Sequence, residues 1–123
     1  MKSRFLSVTF LAVTSLLALT FFSCDTLLNT SPVADAGSDQ EVTLGTEVLL
    51  DGSDSADVNG DALSFVWSLN SYPSLSGLRS DDITGANNTI AQVTPDVVGV
   101  FIFDVAVSDG IETVTDSVKI TVT

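Results

Sequence analysis

The strictest constraint in this chain is a two-residue period that recurs from Pro32 onward. Phe101, Phe103, Val105 and Val107 alternate with smaller or polar residues and stop at Asp109-Gly110. Side chains two apart share one face of a strand, so this pattern specifies a ribbon with one buried face and a sharp reversal after it. The same signature repeats in shorter form. Val42 and Leu44 precede Gly45, and Val48 and Leu50 precede Asp51-Gly52. Leu63, Phe65, Trp67 and Leu69 share a face opposite Ser64 and Ser68, while Ile90 and Val93 sit in a run that Pro95 closes. Val114, Val118, Ile120 and Val122 continue the last parity, interrupted only by Asp116. With the opening segment Val33–Ala36, these predict about seven antiparallel strands and no helix of useful length between Pro32 and Thr123. Two sheets packed face to face bury such faces, so the fold class expected is an all-β, immunoglobulin-like sandwich. Phe65, Trp67, Phe101 and Phe103 have coinciding parities and form its predicted core.

The first 23 residues follow a different rule. Lys2 and Arg4 precede an uncharged run from Phe5 to Ser23, the layout of an export signal, expected to be helical. The run is also about long enough to span a bilayer, so a retained N-terminal anchor is the competing reading. The residues at its end bear on the choice. Leu-Thr-Phe-Phe-Ser-Cys24 resembles the lipobox of bacterial lipoproteins, in which a small residue precedes a cysteine that is lipidated and becomes the new N-terminus. Ser23 and Cys24 match that pattern, and Cys24 is the single cysteine in the chain. The resemblance implies a diacylglyceryl thioether and an N-acyl group on Cys24, and multiple acyl chains give durable anchoring where one gives marginal binding. The expected organisation is a signal peptide over 1–23, a lipidated tether over 24–31 and a sandwich domain over 32–123, exported to the cell envelope. The leaflet stays open.

Charge narrows the partners. Beyond residue 23 two basic side chains, Arg79 and Lys119, stand against sixteen acidic ones, a net of −14. Such a surface repels phosphate backbones, so nucleic acid is not an expected partner. Thirteen of the acids are Asp and three are Glu, which points to turn and loop chemistry rather than helical surfaces. With no His and one Cys, intrachain disulfides, Cys/His zinc sites and imidazole-based catalysis are excluded.

The run Pro32-Val-Ala-Asp-Ala-Gly-Ser-Asp-Gln40 resembles the opening of a PKD (polycystic kidney disease) domain of the K319-like, sperm-receptor-related subgroup. The resemblance continues through Leu49-Leu-Asp-Gly-Ser-Asp-Ser55, Asn59-Gly-Asp-Ala-Leu63, Phe65-Val-Trp67, Thr94-Pro95, Gly99-Val-Phe-Ile-Phe103, Val107-Ser-Asp-Gly110 and Asp116-Ser-Val-Lys-Ile-Thr-Val122. It departs in two places. The Trp-Asp-Phe-Gly-Asp-Gly motif common in the family is absent, because Ser-Leu-Asn follows Trp67, and Phe101 stands where a tyrosine is frequent. The resemblance implies an extracellular spacer, adhesion or interaction module rather than an enzyme, with a protein or polysaccharide as its ligand.

Asp51, Asp54, Asp57, Asn59 and Asp61 form the densest polar cluster, and calcium takes six to eight oxygen ligands of this kind. EF-hand spacing fails, because Val66 falls where the bidentate Glu belongs, and Asp-Gly-Ser with Asn-Gly-Asp reads equally as turns. Turn chemistry is the expectation: no cofactor, and near-equal melting points in calcium, magnesium and EDTA. A calcium-assisted carbohydrate-binding module is the rival. Asp81, Asp82 and Asp96 lack the flanking aromatic platforms of a glycosidase site. Tyr72, in the long segment Asn70–Asn88, is the candidate for an exposed contact, and that segment is expected to be the least structured part of the domain.

Overall fold

A computed structural model describes residues 28–123. Residues 1–27, which hold the expected signal peptide, Cys24 and half of the expected tether, lie outside the described residues. Among the described residues no helix is long and apolar enough to cross a membrane.

The compact unit runs from Ser31 to Thr123. Its strands are β1 (Gln40–Val42), β2 (Val48–Asp51), β3 (Ser64–Ser71), β4 (Ile90–Val93), β5 (Gly99–Ser108) and β6 (Thr113–Val122). A four-stranded sheet has the order β1-β6-β5-β3, and β2 pairs with β4 in a second sheet. The long hairpin β5–β6 is the spine. Ten residue pairs run from Gly99↔Val122 to Ser108↔Thr113. Asp109 closes its turn, its Oδ1 accepting the Ile111 and Glu112 N–H groups at 2.8 Å each. β3 adds antiparallel to the other edge of β5, with Phe65↔Val107 and Trp67↔Val105 in register.

Two elements depart from the sequence expectation. The opening segment contributes one bridge, Val33↔Ala56, rather than a strand. Asp35, Gly37 and the following residues bend it away from a continuous ladder, and its amides bond to side chains: Asp35 N–H to Ser55 Oγ at 3.0 Å, Gly37 N–H to Asp35 Oδ1 at 2.8 Å. Second, β1 runs parallel to β6, through Gln40↔Ile120 and Val42↔Val122. After Val42 the chain reverses through Thr43–Thr46 and crosses to the other sheet as β2, so no hairpin joins β1 to β6 and the pair is free to be parallel.

The core lies between the sheets. Phe101, Phe103, Val105 and Val107 face it from β5, and Trp67 and Phe65 from β3. Val118, Ile120 and Val122 come from β6, with Val48, Leu50, Ala91 and Val93 from the second sheet. Trp67 and the two β5 phenylalanines are at most 1% exposed and Phe65 is 8% exposed. The Phe101 and Phe103 rings stack at 6.4 Å between centroids. All four predicted core aromatics are therefore buried together.

The segment Asn70–Asn88 differs from expectation in having fixed anchors. It holds a 3-10 turn at Ser80–Asp82, and Leu78 and Ile83 insert into the core. It also covers the outer edge of β3. The Trp67 N–H donates to Ala86 O at 2.7 Å, the Leu69 N–H to Ser80 Oγ at 2.9 Å, and the Trp67 indole N–H to Asn88 O at 3.1 Å. An open strand edge is a template for aggregation, and this segment closes it.

Candidate functional site

The acidic loop divides into two parts with different partners. Asp51 ends β2 and turns back on its own loop, its Oδ1 accepting the Ser53 N–H at 2.9 Å. The Ser53 hydroxyl, and then the Ser53 amide, hold the Asp51 carboxyl below its ordinary range. Asp57 Oδ1 accepts the Asn59 N–H at 2.8 Å and the Asp61 N–H at 3.3 Å, while the Gly60 N–H closes on Asp57 O at 3.0 Å. Gly60 takes φ +76°, a left-handed conformation that glycine adopts without strain. Much of the loop is thus turn chemistry.

One part is more than that. Carboxylate oxygens of Asp57, Asp61 and Asp109 lie within 4.8 Å of one another. Asp109 belongs to the β5–β6 turn, about fifty residues away along the chain, so the sheet order brings it to the loop. Asp51 and Asp54, placed with Asp57 and Asp61 by sequence proximity, fall outside this cluster. The signal that could have found Asp109 was present: Asp109-Gly110 ends β5, β5 pairs with β3 through Ser64↔Ser108, and Asp61 precedes β3 by three residues.

The other acids are engaged as acceptors. Asp96 receives the Ser76 hydroxyl at 2.6 Å and the Gly77 N–H at 2.7 Å. Those two bonds, the hydroxyl first, hold its carboxyl below the usual range. A general acid at neutral pH needs the opposite shift. Asp82 Oδ2 accepts the Arg79 N–H at 2.8 Å. Asp82 and Asp96 line an open groove with Glu47 and Gln92, and their bonds rigidify its wall. Asp81 is exposed at the 3-10 turn.

Tyr72 is the exposed aromatic among the described residues, at 43%. The Arg79 guanidinium lies 5.7 Å from its ring centroid and donates to Leu78 O at 2.7 Å. This gives one face a planar ring backed by a fixed cation.

Several solved structures share this architecture. The solution structure of the PKD domain from KIAA 1837 protein matches with a TM-score of 0.60 and 31% identity, covering 77% of this chain and 89% of that one. The PKD domain from human KIAA0319 matches at TM-score 0.60 and 22% identity, over 74% of this chain and 80% of that one. A nucleoside hydrolase-related protein from Saccharophagus degradans, associated with carbohydrate metabolism, matches at TM-score 0.61 and 23% identity. The match covers 77% of this chain but 26% of that larger protein, so it speaks to the fold alone. Residues 36–122 match the family model described as K319L-like, PKD domain, and the chain belongs to that family.

Proposed function

We propose that the protein is a non-catalytic, envelope-anchored lipoprotein whose PKD module serves as a spacer or as an interaction domain for a protein or polysaccharide. The observation that carries this reading is the order of features in one chain. An apolar run ends at a solitary cysteine, and a domain of a generally non-catalytic family follows. The hydrogen bonds that hold Asp82 and Asp96 in structural roles support the non-catalytic part. Interaction would use the Tyr72 and Arg79 face. Carbohydrate modules stack sugars on rows of exposed rings; the other described aromatics are core residues, so this face favours a mixed polar contact over a sugar platform. The negative surface disfavours nucleic acid.

The test is fractionation of cells expressing the wild type and Cys24→Ala. The wild type should remain with membranes through high-salt washing and release with detergent. Cys24→Ala should lose the lipid and its membrane retention. Unchanged processing and retention in the variant would refute the anchor.

A further inference from the structure

From the loop between β2 and β3, we propose that Asn59-Gly60 is a covalent modification site, where Asn59 loses ammonia through a succinimide and becomes isoaspartate or aspartate. Asparagine is the thermolabile amide, and its neighbour decides how readily it reacts. Ring closure needs the backbone nitrogen of the next residue to reach the side-chain carboxamide, and a Cβ on that residue stands in the way. Of the five asparagines, Asn59 alone is followed by glycine. Threonine follows Asn29 and Asn88, asparagine follows Asn87, and serine follows Asn70, whose amide also donates to Asp104 at 2.7 Å. Asn59 and Gly60 are both exposed. Gly60 lies at φ +76°, and an added Cβ would meet nothing within 4 Å, so the space beside its amide is open. The Asp-Gly pairs, which close the same ring by losing water, are placed differently. Gly52 is buried, its N–H donates to Thr89 O at 2.9 Å, and an added Cβ would meet the Phe65 ring at 3.2 Å. Asp109 Oδ1 already accepts two amides at 2.8 Å each, and a carboxylate is a weaker electrophile than a carboxamide.

The step needs water and no redox partner. The Gly60 nitrogen gives up its proton and attacks Asn59 Cγ. The N–Cγ bond forms, the Cγ–Nδ2 bond breaks, and the leaving amide takes up a proton and departs as ammonia. One water then opens the five-membered ring. Opening at Cγ yields aspartate. Opening at the backbone carbonyl yields isoaspartate, in which the main chain runs through Cβ and Cγ. The turn sets the pace. The Gly60 N–H donates to Asp57 O at 3.0 Å, and Asp57 Oδ1 holds the flanking amides of Asn59 and Asp61 at 2.8 and 3.3 Å. Attack therefore waits for local opening, which exposed loops undergo more readily than core strands. Isoaspartate then keeps the turn from closing as before. One extra main-chain carbon separates the Asn59 N–H from those of Gly60 and Asp61, so one Asp57 side chain no longer reaches both sides. Conversion is thus a one-way loosening of the 57–61 turn, and it depends neither on the lipid anchor nor on a partner.

The test uses the full chain in non-ionic detergent, aged for several weeks at body temperature in mildly alkaline buffer made with heavy-oxygen water. Asn59→Gln and a synthetic peptide spanning residues 55–65 are aged beside it, because glutamine must close a six-membered ring and does so far more slowly. Peptide mapping by mass spectrometry should place a new carboxylate carrying one solvent oxygen at residue 59, and isoaspartyl methyltransferase should label it. The other four asparagines should convert several-fold less, and Asn59→Gln should lose the signal. The peptide, which lacks the folded turn, should convert several-fold faster than the protein. In the aged isoaspartate fraction the Asp61 amide should exchange hydrogen faster than in fresh protein, while the core strands keep their protection. No conversion at residue 59 while the peptide converts, or a signal undiminished in Asn59→Gln, would overturn the site. Equal rates in protein and peptide, or unchanged Asp61 exchange in the isoaspartate fraction, would overturn the role given to the turn.

Discussion

Trp67 shows how much one side chain can carry in a domain this small. It is buried to 1% exposure, its ring fills the space between the sheets, and its indole N–H donates to Asn88 O. Truncation of a buried aromatic to Ala costs about 3–5 kcal/mol, against a total stability of about 5–15 kcal/mol for a domain. Trp67→Ala should therefore lower the melting temperature sharply or unfold much of the population. Trp67→Phe keeps most of the apolar volume but orphans the Asn88 carbonyl, and should cost about 1–3 kcal/mol. Native fluorescence that is red-shifted and readily quenched would contradict the burial. Asp96 makes a pH-dependent contribution of opposite character, from polar contacts at the surface. Its carboxyl is held below the ordinary range by Ser76 and Gly77, so the folded state favours the ionised form. That stabilisation is fully present above the unfolded value near 3.8 and is lost as pH falls through the lower folded value. Asp96→Asn should melt below the wild type at pH 7, and the gap should narrow as pH falls below 3.8. A gap that stays constant from pH 7 to pH 3 would mean that ionisation of Asp96 plays no part.

At the scale of elements, the strands were legible because their period is strict, and the exceptions have named causes. Asp116 interrupts the apolar parity of β6, yet it is where the opening segment attaches. Its Oδ2 accepts the N–H of buried Ala36 at 2.8 Å. A pattern read along one strand marks Asp116 as an interruption; its partner is eighty residues away and invisible to local periodicity. The same limit hid Asp109 from the acidic loop, because that grouping depends on which strands become neighbours. Short segments such as Val33–Ala36 have too few residues for their period to separate a strand from a single bridge. Asp116→Ala should leave the Ala36 amide unpaired, at a cost of about 1–3 kcal/mol, and accelerate its hydrogen exchange, while Asp116→Asn should retain part of the bond. Protection of Ala36 unchanged in the Ala variant would show that the segment is held elsewhere. Gly99 begins β5 at φ +137°, and an added Cβ would approach Pro73 Cγ to 2.6 Å. Gly99→Ala should destabilise by roughly 1–3 kcal/mol, read as a lower thermal midpoint, because both the backbone and the contact oppose it.

For the whole molecule, the sandwich explains how a strongly acidic chain remains folded. Apolar side chains are segregated between two sheets, and many carboxylates accept backbone amides within turns, where negative charge is matched by N–H dipoles. The charge therefore sits mostly on loops, leaving the buried faces apolar. The proposed lipid anchor turns on one residue, Cys24. The most direct measurement is mass spectrometry of the N-terminal peptide from protein extracted from membranes with detergent. The proposed anchor predicts a peptide that begins at Cys24, with residues 1–23 absent and a diacylglyceryl thioether and N-acyl chain on that cysteine. An intact Met1 peptide, or an unmodified Cys24 in membrane-bound protein, would contradict it.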